Sequence, residues 1–150
     1  IDGVCTTGQL HYSEHGESIK TFNVLDGQGI RNLLQNNKHV AIISGRNSKI
    51  VTARFRPLGV KHIYQNQSDK TPAYLDILKK LNITDQQIAY IGDDTPDLPL
   101  ITRSQIGITV PNGHPSAKLA ANFICQNHGG NGAVREICDL ILAAKEENTP

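Results

Sequence analysis

The chain has 150 residues, enough for one domain with a sizeable core. With 38% hydrophobic and 19% charged residues it reads as globular, and a formal net charge of +1 offers no field for nucleic acid or an anionic membrane. No apolar run approaches the ~18 residues of a membrane span, and Cys5, Cys125 and Cys138 are too scattered for a disulfide framework or a zinc site, which points to a reducing, cytoplasmic setting.

In chain order, Gly8 to Val24 reads as an inserted β-hairpin. Leu10, Tyr12, Ile19 and Phe22 flank a polar centre, Ser13-Glu14-His15-Gly16-Glu17, and these apolar residues call for a partner surface. Asp26 is placed to cap a helix from Gly27 to Gln35. His39 to Ile43 is a short apolar run ending in Ser44-Gly45, as expected of a strand buried on both faces. Ser48 then caps Lys49 to Leu58, closed by Gly59, and Thr71-Pro72 opens a helix through Leu81. Ile88 to Ile91 and Ile106 to Val110 are two further strand-like runs. The clearest helix is Ala133 to Lys145, with Val134, Ile137, Cys138, Ile141 and Leu142 on one stripe. The polar end, Glu146 to Pro150, is expected to fray. This alternation predicts a single α/β domain over 1–150 built on a doubly wound parallel sheet.

Four short motifs fall at strand ends, where open α/β sheets place their sites. They are Asp2-Gly3-Val4, Ser44-Gly45-Arg46, Ser68-Asp69-Lys70 and Gly92-Asp93-Asp94-Thr95-Pro96-Asp97. Each alone is an ordinary turn. Together they fit phosphoryl transfer: carboxylates for a hard Mg²⁺ ion, and a hydroxyl, a backbone N–H and an ammonium for the phosphoryl oxygens. One Asp can serve as nucleophile and another as proton donor to the leaving alcohol. His11, His15, His62, His114 and His128 lack metal-ligand spacing, and Cys5 has no general base beside it.

These motifs resemble those of the haloacid dehalogenase superfamily of phosphatases. Its first motif is Asp-x-Asp-Gly, of which Ile1-Asp2-Gly3 is present. Since the chain starts at Ile1 and holds no methionine, the N-terminal strand and the nucleophilic Asp are expected to precede Ile1. The resemblance makes Asp2 the general acid/base, with its carbonyl on Mg²⁺, and Ser44 and Lys70 catalytic. It places Gly45 at the phosphoryl group and Asp93, Asp94 and Asp97 on the metal side. Ser44 lies 42 positions after Asp2 and Lys70 lies 26 after Ser44, so neither interval has room for the superfamily's cap domain.

A closer resemblance is to the 3-deoxy-D-manno-octulosonate 8-phosphate phosphatases of lipopolysaccharide sugar synthesis. It rests on Gly16-Glu17, Phe22-Asn23-Val24, Asp26-Gly27-Gln28-Gly29-Ile30, Val40 through Arg46, Tyr64-Gln65, Gln67 through Lys70, Ile91 through Asp94, His114-Pro115 and Gly132 through Glu136. It implies Mg²⁺ as cofactor, a sugar-acid phosphate as substrate, and a homotetramer assembled through the hairpin at 8–24. Arg46 and Lys20 are the candidates for the substrate carboxylate. Thr7, Leu25 and Asn131 depart from the family pattern, the last two where cations are usual. Two other readings stand beside this one: a nine-carbon, sialic-acid-type 9-phosphate as substrate, or a phosphatase-like subunit without activity.

Overall fold

The computed structural model describes residues 1–146, so the expectation for the tail at 147–150 lies outside the described residues. The hairpin is formed by β1 (His11–Ser13) and β2 (Gly16–Ile19), paired antiparallel. Helix α1 (Val24–Gln35) follows, then β3 (Ala41–Ile43), α2 (Lys49–Phe55) and β4 (His62–Tyr64). Next come α3 (Thr71–Leu81), β5 (Ala89–Ile91), α4 (Leu98–Arg103), β6 (Ile106–Thr109), α5 (Pro115–Ala120), β7 (Phe123–Ile124) and α6 (Ala133–Glu146).

All pairing outside the hairpin is parallel, as the alternation predicts, but it comes in two pieces. β3 pairs with β4, and β5, β6 and β7 form a second ladder in that order. Among the described residues no strand bridges β3 and β5. Apolar packing joins the two ladders instead: Val4 and Ile42 sit in one buried cluster, against which Ile1, Ile63 and Ile91 pack. The predicted stripe of α6 is buried as expected, with Cys138 in that cluster and Ile137 in a second one beneath β6.

Two local readings change. Residues 49–58 do not form one α-helix, because Pro57 lacks an N–H and the last turn tightens to a 3₁₀ segment, Arg56–Leu58, that ends at Gly59. Phe22 is not a free apolar residue of the hairpin. Its ring meets Phe55 edge-on with centroids 5.5 Å apart, inside the core, while Leu10, Tyr12 and Ile19 stay exposed.

The cap of α1 also changes hands. Asn23 Oδ1 accepts from the Leu25 N–H at 2.8 Å, and Asp26 turns inward. There its Oδ1 accepts from the Arg135 N–H at 2.9 Å, at the free amino end of α6. The side chain expected to start one helix thus caps another, 109 residues away in sequence. Burial raises the Asp26 pKa above the ordinary carboxylate range. Backbone N–H groups of Arg135 and Gly132 and the charge of Arg54 offset only part of that.

Asp26→Ala should therefore lower the unfolding free energy by about 1–3 kcal/mol in a urea titration, whereas Asp26→Asn keeps the Oδ1 acceptor and should lose less. Because the folded-state pKa is raised, the folded protein binds this proton more tightly than the unfolded chain does. The stability of wild type relative to Asp26→Asn should then rise as pH falls through that raised pKa. A difference independent of pH would contradict the assignment.

Candidate functional site

Three of the four predicted motifs, those at 44–46, 68–70 and 92–97, lie at the carboxyl ends of parallel strands, and the fourth, at 2–4, lies in a loop that no described strand precedes. Ser44 follows β3, the 65–70 loop follows β4, Gly92 follows β5, and the 110–114 loop follows β6. Parallel pairing brings the loops of each ladder to one edge, and the Lys70–Asp97 contact joins the two edges.

Residues 1–8 form a tight loop there. The Ile1 carbonyl accepts from the N–H groups of Val4, Cys5 and Thr6, and Thr6 Oγ1 accepts from those of Gly3 and Gly8. Gly3 has φ +80°, and a Cβ on it would lie 2.0 Å from Asp93 Oδ2. Only glycine fits, and the Asp93 carboxylate therefore rests against the Asp2-Gly3 backbone.

Asp97 organises the next loop. It is buried, and Oδ1 accepts from Lys70 Nζ at 2.5 Å and from the Tyr90 hydroxyl at 2.6 Å. Oδ2 accepts from the N–H groups of Asp93 and Asp94 at 3.2 and 3.3 Å. Burial pushes the Asp97 pKa up, but the Lys70 charge and the bonds from Lys70 and Tyr90 outweigh it, so the group ends below the usual carboxylate range. Asp93 has the opposite balance. Its carboxylate accepts no hydrogen bond from the described residues, and burial plus repulsion from Asp97 raises its pKa to about 6.

On the other side, Ser44 is buried. Its N–H donates to the Tyr64 carbonyl at 2.8 Å, and its own carbonyl accepts from the Gln67 N–H at 3.0 Å. Gly45 lies against the Gln67 carbonyl, so the 44–46 turn and the loop carrying Lys70 are held side by side. Arg46 points back across the cleft, with Nε 3.8 Å from Asp2 Oδ2, and its guanidinium contacts the Tyr12 hydroxyl and lies over the Tyr12 ring.

Sequence reading offered Lys20 of the hairpin to the substrate carboxylate and missed its pairing with Asp2 and Glu17. Lys20 Nζ contacts Asp2 Oδ1 and lies 2.7 Å from Glu17 Oε1. Glu17 Oε1 in turn lies 3.6 Å from Arg46 Nη2 and is shut off from solvent. The i, i+3 spacing of Glu17 and Lys20 is the only signal of this network in the sequence. Tyr90 and Asn112 were missed as well. Asn112 Nδ2 donates to the Gly3 carbonyl at 3.3 Å, and its Oδ1 accepts from the Gly129 N–H at 2.8 Å.

The four acidic candidates do not form a cage. Among the described residues no three His, Cys, Asp or Glu side chains converge as metal ligands, and both Asp97 oxygens already hold donors. Asp94 Oδ1 accepts from the Thr95 N–H at 2.7 Å, opening the turn at 95–97. A donor-poor, partly buried carboxylate against the Asp2-Gly3 backbone still suits Mg²⁺, which takes one or two carboxylates and keeps water for its remaining positions. The cysteine thiols are buried, which pushes Cys5 up to about 11 and Cys125 and Cys138 to about 12, so none is a nucleophile at neutral pH. Leu25 and Asn131 line a separate surface groove of about 460 Å³ with Arg135 and Leu140, and none of Asp2, Ser44, Lys70 or Asp93 borders it. No helix of the described residues is long and apolar enough to cross a membrane.

Residues 48–137 match the family model of haloacid dehalogenase-like hydrolases. The chain is 43% identical over 147 residues to the 3-deoxy-D-manno-octulosonate 8-phosphate phosphatase of Yersinia pestis, covering 98% of this chain and 79% of that protein. The crystal structure of the Moraxella catarrhalis phosphatase of the same name, in complex with magnesium ion, phosphate ion and KDO, superposes with a TM-score of 0.93 at 44% identity, over 96% of this chain and 83% of that one. The cobalt-bound Haemophilus influenzae phosphatase gives 0.94 at 41%, over 97% and 85%. Likeness of this depth, along nearly the whole chain, makes the chain a member of the 3-deoxy-D-manno-octulosonate 8-phosphate phosphatase family, phosphoric monoester hydrolases of the haloacid dehalogenase superfamily.

Proposed function

We propose that the chain is a Mg²⁺-dependent phosphatase that hydrolyses 3-deoxy-D-manno-octulosonate 8-phosphate to the free sugar acid and phosphate. The setting would be the cytoplasm and the larger process lipopolysaccharide precursor synthesis. The observation that carries this reading is the packing of Asp93 against the Asp2-Gly3 backbone, beside the Lys70–Asp97 pair, in a cleft whose mouth holds Arg46.

Asp93 and the Asp2 carbonyl would hold Mg²⁺, with Asp94 near its waters. When bound, the ion neutralises charge on the phosphoryl oxygens. Ser44 Oγ, the Gly45 N–H and Lys70 Nζ are the donors for those oxygens. Asp97, with all its acceptor sites engaged, keeps Lys70 in place and does not itself bind the ion. An Asp directly before Ile1 would attack phosphorus. The P–O ester bond breaks as Asp2 gives its proton to the departing sugar oxygen, leaving an aspartyl-phosphate. Asp2 then takes a proton from water, whose oxygen attacks phosphorus and releases phosphate. Arg46, 39% exposed in its side chain, is the cation available to the substrate carboxylate.

The full-length protein should release phosphate from the octulosonate 8-phosphate with a higher kcat/KM than from a nine-carbon 9-phosphate, and chelation should abolish turnover. Absence of Mg²⁺-dependent turnover on any sugar phosphate would sink the reading. Lys70→Ala removes one preorganised donor and should lower kcat by ~10²–10³ while circular dichroism stays unchanged. A rate within a few-fold of wild type would mean that the phosphoryl group sits elsewhere.

The same reading includes a homotetramer closed through the hairpin. Leu10, Tyr12 and Ile19 are 45%, 60% and 57% exposed on two short strands that are marginal alone. Leu10→Ser with Ile19→Ser should shift sedimentation from tetramer to monomer. A wild type that sediments as a monomer refutes the assembly.

A further inference from the structure

The hairpin's charged side chains Glu17 and Lys20 have no role so far. The Lys20 ammonium, expected on the sequence to meet the substrate carboxylate, is enclosed: its side chain is 2% exposed. It is already engaged by Asp2 Oδ1 on one side and by Glu17 Oε1 on the other. A buried lysine holding two carboxylates is poorly placed to take a third from solution. Asp2 is held unequally, since Oδ1 accepts from Lys20 while Oδ2 accepts no hydrogen bond from the described residues and lies 3.8 Å from Arg46 Nε. Oδ2 is thus the freer oxygen.

We infer that Lys20 is a positioning residue that fixes the Asp2 carboxyl group so that Oδ2 faces the leaving oxygen, and that Glu17 holds Lys20 there. Glu17 pairs the buried ammonium independently of Asp2, so the donor to Oδ1 stays in place through turnover. Glu17 also meets Arg46 at 3.6 Å, which ties the proton donor and the cation at the cleft mouth to one hairpin residue. This inference rests on the reading of Asp2 as general acid, and it separates from that reading experimentally. An alkyl phosphate needs a proton on its leaving oxygen, whereas p-nitrophenolate departs without one.

Lys20→Met and Asp2→Asn, made in the full-length protein with Mg²⁺, are compared in rapid-quench single turnovers on p-nitrophenyl phosphate and on the octulosonate 8-phosphate. Lys20→Met should keep its burst of p-nitrophenolate within a few-fold of wild type and lose ~10²-fold in phosphoryl transfer from the sugar ester. Equal losses on both esters, or a raised KM for the sugar acid alone, would overturn the proposal and return Lys20 to a structural or substrate-binding role. Asp2→Asn should show the same split. If it does not, the general-acid reading fails, whereas a split in Asp2→Asn without one in Lys20→Met defeats only the inference. Should Lys20→Met not fold, Glu17→Gln carries the test, because it loosens Lys20 without removing it. It must also favour the aryl over the sugar ester, and equal rate changes on the two reject the positioning role.

Discussion

The buried carboxylate of Asp97 is the constraint on which the candidate site depends. A charge taken out of water costs several kcal/mol unless donors replace the lost hydration. Here four donors do so: an ammonium, a phenol and two backbone N–H groups. Each donor is thereby fixed. Lys70 is drawn from the start of α3 into the cleft, Tyr90 locks the end of β5, and the backbone at 93–94 is pinned so that the Asp93 side chain must project toward residues 2–3. The two neighbouring acids then diverge. Asp97, rich in donors, is held below the usual range, and Asp93, which has none, is lifted to about 6. That contrast is how a protein keeps one carboxylate structural and leaves its neighbour short of positive charge.

Close backbone approach makes the rest of the cleft possible. Asp93 can rest on residue 3 only because it is glycine, and a Cβ on Gly129 would lie 1.8 Å from the Gly3 carbonyl. The loop ahead of α6 therefore touches the loop that carries Asp2, and the Gly130 N–H donates to the Val4 carbonyl at 2.9 Å. Asn112 clasps both. Three loops distant in sequence hold one another without a cap domain above them, and the Asp26 contact from α1 secures the amino end of α6, where the last of those loops enters the helix.

What the sequence shows well is what continuous runs and short motifs encode. The strands ending at Ile43, Ile91 and Thr109 stand where apolar runs meet Gly, Asp or Pro, and the motif residues behind them reach the same edge because parallel strands point the same way. Contacts between distant segments were harder to read. Asp26 satisfied a local rule for capping α1, yet Asn23 lies at the better position and the buried N–H groups of α6 offer Asp26 more. Phe22 has the polar neighbours of a hairpin residue, but Phe55 claims its ring once α2 packs on α1. The Glu17–Lys20 pair looks like an ordinary exposed strand pair until the hairpin folds over residue 2.

The hairpin shows how a site without a cap can gain buried groups. Its side chains differ in kind: Glu17 and Lys20, 12% and 2% exposed, enter the charged network around Asp2, while Leu10, Tyr12 and Ile19 remain largely in solvent. With three and four residues in its strands, the hairpin gains little from its own ladder, so it is held down chiefly through the ionic contacts to Asp2 and Arg46. Such contacts strengthen as water is excluded from around them. Glu17 and Lys20 reach the network around Asp2 from β2 and the residue after it, so the order of the Asp2 carboxylate rests on how firmly that one strand is held against residues 1–8.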